Sequence, residues 1–315
     1  QSNSIAEACH NAFGVPNWVV GVVIAAVCAF IFIGGVQRIA SVSEKIVPVM
    51  ATLYLIGGLV ILIARIRYIP ETIGMIFKYA FVPNALIGGS IGYALKTAIS
   101  QGVKRGLFSN EAGMGSTPNA AAAASSWPPH PAAQGIVQMI GVFTDTIIIC
   151  SASAMILLLA GPVPHSSGTA GIQLLQQALV TLTGGWGAGF VSLILILFAF
   201  SSIVVNYLYA ENNLIFLKLD SRAAIGTLRL GVVLMVIAGS LLSMPLVWQL
   251  ADIIMALMAI TNLTAILLLS PVVTLIARDY LRQRKLGVPP VFDPARYPEI
   301  KAQLAPGTWD DLPRQ

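Results

Sequence analysis

The chain has 315 residues, of which 57% are hydrophobic and only 10% charged, and it carries a net charge of +5. Soluble domains carry about 25% charged residues, so this balance rules against an ordinary soluble fold. Apolar runs of about 20 residues, enough to cross a hydrocarbon core, recur along most of the sequence.

These runs suit a helical period rather than the alternation of barrel strands, which predicts an all-α polytopic membrane protein. The positive balance is that of a cytoplasmic surface and calls for no nucleic acid. In chain order, residues 1–13 read as the end of a helix, closed by Gly14 and Pro16 because proline cannot continue one. The sequence starts at Gln1 without a basic, signal-like leader, and QSNSIAEACHNAFG resembles the second half of a helix, so further helices are expected upstream. A first full span is predicted over 17–36, then the polar stretch QRIASVSEK, then a second span over 46–64. Residues 65–86, with Arg65, Arg67, Glu71 and Lys78 among aromatics, read as an interfacial amphipathic piece. The third span, 86–104, is glycine-rich, and the stretch Gly102–Pro118 (GVKRGLFSNEAGMGSTP) follows, leading into an Ala/Ser/Pro loop. The remaining spans are predicted over 134–160, 187–209, 225–244 and 247–277, with an amphipathic segment near 171–182. Thr261-Asn262 interrupts the last of these, which reads as one kinked or broken helix. The domain scheme is thus a helix end at 1–13, a transporter-like membrane domain at 14–277 with seven spans, and a soluble tail at 278–315.

Charge fixes the expected orientation. With the tail inside, the inward segments hold 14 Lys/Arg and the outward ones 3, with Lys96 inside a span. Positively charged loops stay cytoplasmic, so seven spans with a cytoplasmic C-terminus are predicted. Two full crossings in 247–277 would put the basic tail outside, which disfavours them.

Charged groups at membrane depth face protein or water-filled paths. Lys96 and Asp252 have snorkelling or interfacial readings as well as functional ones. Asp145, in VFTDTIII, lies deeper; a helix-end amide or another helix's lysine is its structural reading, a transport role its functional one. Gly88, Gly89 and Gly92 crowd one helix, where each glycine costs up to about 1 kcal/mol relative to alanine. Close helix packing explains them; so does a discontinuous helix whose freed backbone lines a substrate site. Ser201 and Ser202 offer hydroxyl oxygens to a small hard cation, or bond their own i−4 carbonyls. Cys9, Cys28 and Cys150 form no spaced pair and read as packing residues, and the three histidines are scattered, so no cofactor is expected. No HExxH, GxSxG or GxxxxGK[ST] occurs. An enzyme would have to rest on Asp145 and His130 alone, and a non-enzymatic protein is expected.

GVKRGLFSNEAGMGSTP closely resembles the signature of the alanine or glycine:cation symporter family. QSNSIAEA, GGVQRIASVSEKIVPVMA, FAFSS, WQLADIIMALMAITNL and VFDP resemble that family too, so the likeness covers essentially the whole chain. The resemblance implies part of a LeuT-like inverted-repeat fold, with the seven spans as helices 4 to 10 and residues 1–13 as the end of helix 3. It implies uptake of a small neutral amino acid, alanine or glycine, L or D, coupled to Na⁺ or H⁺ in a bacterial cytoplasmic membrane. It places substrate binding on Gly88, Gly89, Ser90, Gly92 and Ala94, with Gln1, Asn3 and Asn206 contributing. It puts part of a Na⁺ site on Ser201 and Ser202, and a gate or cytoplasmic anchor on Arg105, Ser109, Asn110 and Glu111. The family commonly continues helix 8 with Gly-Trp and Tyr-Tyr-Gly-Glu, whereas this chain reads VVNYLYAEN. Asn206 in place of the expected tryptophan implies a larger, more polar pocket, and hence a larger or more polar amino acid as the alternative substrate. A non-transporting remnant is the other alternative.

Overall fold

A computed structural model describes residues 1–81, 91–161, 171–305 and 309. The helices, in chain order, are α1 (Ser2–Phe13), α2 (Asn17–Ile33), α3 (Gly35–Ala64), α4 (Ile69–Phe81), α5 (Ile91–Asn110), α6 (Thr117–Ala123) and α7 (Pro131–Thr144). A π-helical turn, Asp145–Cys150, leads into α8 (Ser151–Leu159). Then come α9 (Ile172–Thr183), α10 (Trp186–Phe216), α11 (Arg222–Leu241), α12 (Met244–Lys285) and the short α13 (Pro298–Lys301). Among the described residues, five helical stretches are long and apolar enough to cross a membrane: Gly35–Ala64, Pro131–Leu159, Trp186–Phe216, Arg222–Leu241 and Met244–Lys285. The apolar α2 is shorter.

The chain forms two compact units, Gln1–Gln101 with Ile147–Asp252, and Gly102–Thr146 with Ile253–Gln315. In the first, α1 ends where Gly14 takes the left-handed conformation and donates its N–H to the His10 carbonyl, and Pro16 two residues on bars continuation. Its core joins α1, α2, α10 and α11 through Ile5, Ile24, Cys28, Val204 and Val236. Phe32 stacks on Tyr207 at 3.9 Å between ring centroids. The crossing of α2 and α11 leaves no room for a side chain at Gly21, where a Cβ would lie 2.0 Å from the Ser240 hydroxyl oxygen. That is the close approach that small residues permit between membrane helices, where packing rather than hydrophobic burial supplies the attraction. Large apolar residues such as Leu59, Val60 and Ile63 instead face outward.

The polar stretch QRIASVSEK, expected between two spans, is helical and forms the first turns of α3, and the chain bends before it, at Gly34-Gly35, where Gly35 has φ +69°. Thr261-Asn262 does not interrupt α12, which is one helix of 42 residues. The Thr261 hydroxyl is absorbed by its own helix, donating to the Leu257 carbonyl. Pro271, also inside α12, cannot donate to the Leu267 carbonyl; the Ser270 hydroxyl does so at 2.8 Å. Such hydroxyl repair is what makes proline tolerable in a membrane helix. Of the amphipathic segment expected over 65–86, the described part is helical at Ile69–Phe81 as α4, residues 82–86 lying outside the described residues, and the segment expected near 171–182 is helical as α9.

In the second unit the tail folds back on the loop before α7. The Phe292 N–H donates to the Pro129 carbonyl at 3.0 Å, and the Phe292 ring, 2% exposed, meets His130, Tyr297 and Trp309. His130 caps α7, its Nδ1 accepting from the Ala132 N–H at 3.1 Å while Nε2 faces the Asp279 carboxylate at 3.5 Å. Since Nδ1 accepts, the proton is on Nε2 and the imidazole is neutral. Burial pushes its pKa down, against the pull of Asp279.

Candidate functional site

The signature stretch folds into a polar knot within the second unit. At the C-terminus of α5, Ser109 Oγ donates to Asp145 Oδ2 at 2.7 Å and Asn110 Nδ2 donates to the same oxygen at 2.9 Å. Asn110 Nδ2 also reaches the Val142 carbonyl at 3.2 Å and Thr146 Oγ1 at 2.7 Å. Hydrogen bonds to an ionised acceptor are roughly twice as strong as neutral ones, so Asp145 is the electrostatic centre of the contact. It also opens the π-turn, and turns of that kind occur often at functional sites.

Beyond Asn110 the backbone reverses. Glu111 has φ +53°, and its carboxylate accepts from Ser116 Oγ at 2.6 Å, so it pins its own turn rather than joining Asp145. Asn262 of α12 donates to the Gly113 carbonyl at 3.0 Å. Gly115 is required twice over: its φ is +103°, and a Cβ would lie 3.0 Å from that of Asn262. Arg105 is exposed one turn before Ser109. Of the four residues expected as a gate or anchor, Ser109 and Asn110 meet Asp145, while Glu111 stabilises the turn that follows.

The other expected site residues are in the first unit. Ser201, 7% exposed, donates to the Phe198 carbonyl at 2.9 Å and lies 3.5 Å from Met50 Sδ; Ser202 donates to the same carbonyl at 3.0 Å. Their protons are thus spent on the helix, as serines in membrane helices usually do, which leaves oxygen lone pairs as the groups a cation would use. Asn206 is exposed, one turn after Ser202 on the same face of α10. Asn3 is buried and donates to the Gly239 and Leu242 carbonyls at 3.1 and 2.6 Å, closing the end of α11. Gln1 is exposed, as is Lys96 on α5, which also carries Gly92 and Ala94. The expected substrate stretch Gly88, Gly89 and Ser90 lies outside the described residues.

Two polar seams had no signal in the sequence beyond being polar. Between α1, α9 and α10, Gln173 donates to Glu7, and Gln176 links the Ala8 carbonyl at 3.1 Å to the Ser192 hydroxyl at 2.9 Å. Between α10 and α11, Arg229 lies 4.0 Å from the buried Glu211 and donates to the Tyr207 hydroxyl at 3.0 Å.

Outward-facing apolar helices with polar groups turned inward onto one another define a multi-pass membrane protein. The chain belongs to the sodium:alanine symporter family, whose match covers residues 1–294. That family consists of transporters and not enzymes. An uncharacterized transporter of Escherichia coli (strain K12), YaaJ, is 56% identical over 315 residues, covering 100% of this chain and 66% of the relative. The amino-acid carrier protein AlsT of Bacillus subtilis (strain 168) is 44% identical over 311 residues, 99% of this chain and 64% of AlsT. The probable sodium/glutamine symporter GlnT of the same organism is 44% identical over 292 residues, 93% of this chain and 59% of GlnT. The chain therefore spans about two thirds of the length of these relatives.

Proposed function

We propose that the chain is part of a secondary active symporter that carries a small neutral amino acid, alanine or glycine, with Na⁺ across a bacterial cytoplasmic membrane, its C-terminus inside. Membership of the sodium:alanine symporter family over nearly the whole chain carries this reading. It is supported by the convergence of Ser109 and Asn110 on Asp145, an articulation between the end of α5 and the π-turn after α7.

On this reading the seven spans are helices 4 to 10 of a LeuT-like fold. Substrate binds along Gly88–Ala94 with Asn206 beside it, and the Ser201 and Ser202 oxygens contribute to the cation site. Alternating access moves one helical bundle against another around a midplane site. Coupling is reciprocal: to the extent that Na⁺ favours the substrate-binding state, substrate tightens Na⁺. The full-length protein in proteoliposomes takes up radiolabelled alanine or glycine under an inward Na⁺ gradient and not under a K⁺ gradient. Absence of uptake with both amino acids under both Na⁺ and H⁺ gradients would refute the assignment.

A second reading, a larger polar amino acid such as glutamine, is favoured by Asn206 in place of an aromatic residue and by the likeness to GlnT. Unlabelled glutamine competing better than glycine would select it.

A further inference from the structure

The loop before α7 and the segment after α12 enclose a second site, away from the signature knot. Trp127, Pro128 and Pro129 form one wall, Pro289 and Pro290 the other, with Arg284 at the rim, around a cavity of about 730 Å³. That volume falls within the range of small-molecule pockets, roughly 300–1,000 Å³. The walls are held in place. The Pro129 carbonyl accepts from the Phe292 N–H, and the buried Gln283 side chain clasps Val291, accepting from its N–H at 2.9 Å and donating to its carbonyl at 3.1 Å.

Three observations identify an occupant. Among the described residues the lining is mostly apolar and contains Arg284 but no carboxylate. Arg278, Arg282 and Lys285 lie on the same end of α12, and the nearby Asp279 is already engaged by Arg282 and Gln283. The depth is that of lipid head groups: Trp127 stands four residues before α7 begins, and Arg284 lies seven residues, roughly 10 Å of helix, past Ala277 at the end of the apolar run. Trp127 is 90% exposed, an expensive placement in water but the usual one for tryptophan at a membrane interface. We propose that this cavity binds the head group of an anionic phospholipid, its phosphodiester on Arg284 and its glycerol and upper acyl carbons against Trp127 and the prolines.

The test uses the full chain in bilayers of phosphatidylcholine with a minor fraction of phosphatidylglycerol, one or the other brominated on its acyl chains to quench nearby tryptophan. Brominated phosphatidylglycerol is expected to quench more strongly per molecule than brominated phosphatidylcholine, and Trp127→Phe to remove the excess. Arg284→Gln should lower the preference about fivefold, the worth of one cation at an anionic surface, while Arg284→Lys retains most of it. Both positions are exposed, and uptake or thermal stability of the variants confirms folding. Equal quenching by the two lipids overturns the proposal, as does an excess that survives Trp127→Phe or is unchanged in Arg284→Gln. Displacement by millimolar inorganic phosphate overturns it in favour of a free-anion site. Failure of phosphatidylglycerol alongside binding of a proline-rich peptide overturns it in favour of a protein partner.

Discussion

The contact between the end of α5 and Asp145 is the most consequential feature to perturb. Removing the Asn110 amide deletes one bond to the carboxylate and contacts to the Val142 carbonyl and Thr146 hydroxyl. A hydrogen bond to a charged group contributes about 1.5–3 kcal/mol when buried. Asn110 is only partly buried and divides two protons among three acceptors, and interhelical bonds in membrane proteins average about 0.6 kcal/mol. The expected coupling between Asn110 and Asp145 is therefore about 1 kcal/mol, and that of the more exposed Ser109 about half as large. The measurement is a double-mutant cycle on the full chain in detergent micelles, from SDS-titration midpoints of Asn110→Ala, Asp145→Ala and the pair. Distant sites add within about 0.3–0.5 kcal/mol, so additivity at that level would show that Asp145 gains nothing from the α5 terminus. The singles and the pair should lower uptake to a similar degree, because each opens the same contact.

Gly115→Ala should destabilise the protein by about 1–3 kcal/mol through left-handed strain and crowding against Asn262. Gly226→Ala, in open space on α11, should be neutral or stabilising by up to about 1 kcal/mol; thermal midpoints of the two variants check both. His130 is held neutral by burial and by the Ala132 N–H, with its pKa below the ordinary 6.5. Its contribution to stability is therefore complete above about 6.5 and is lost as pH falls through the lowered value. A midpoint that drops on going from neutral to mildly acidic pH, with a flatter profile in His130→Gln, is the expected result; an identical slope in the variant would contradict it. Replacing Ser201 and Ser202 together by alanine should raise the Na⁺ concentration for half-maximal uptake with expression unchanged, and an unaltered Na⁺ dependence would remove them from the cation site.

Most helices were legible because a span is an apolar run of fixed minimum length, and the segments now seen as α7–α8, α10, α11 and α12 have such runs. Breaks were harder. QRIASVSEK reads as a polar stretch between two spans, yet a helix can carry polar turns beyond the hydrocarbon layer. Thr261-Asn262 looks like an interruption, yet threonine satisfies its own helix and asparagine finds a partner 149 residues away in sequence. Asp145 read either as a structural group partnered by a helix-end amide or a lysine or as a transport residue, and the side chains that reach it are those of Ser109 and Asn110. Which polar side chain faces which was not legible, because inside a membrane protein every buried donor needs an acceptor and many pairings satisfy the same composition. The π-turn at Asp145 left no trace for the same reason: one extra residue per turn alters register, not residue type.

Within the second unit, α12 is fastened at two points. Asn262 holds the signature turn through Gly113, and Asp279 holds the His130 loop and the tail. The sixteen residues between them make a rod of about 25 Å, and Pro271, with its carbonyl vacancy filled by Ser270, is the point of least bending resistance along it. A lever with a built-in elbow can be stiffened at the elbow alone. Replacing Pro271 by alanine would supply the missing N–H donor to the Leu267 carbonyl and stiffen the segment that joins the two fastenings.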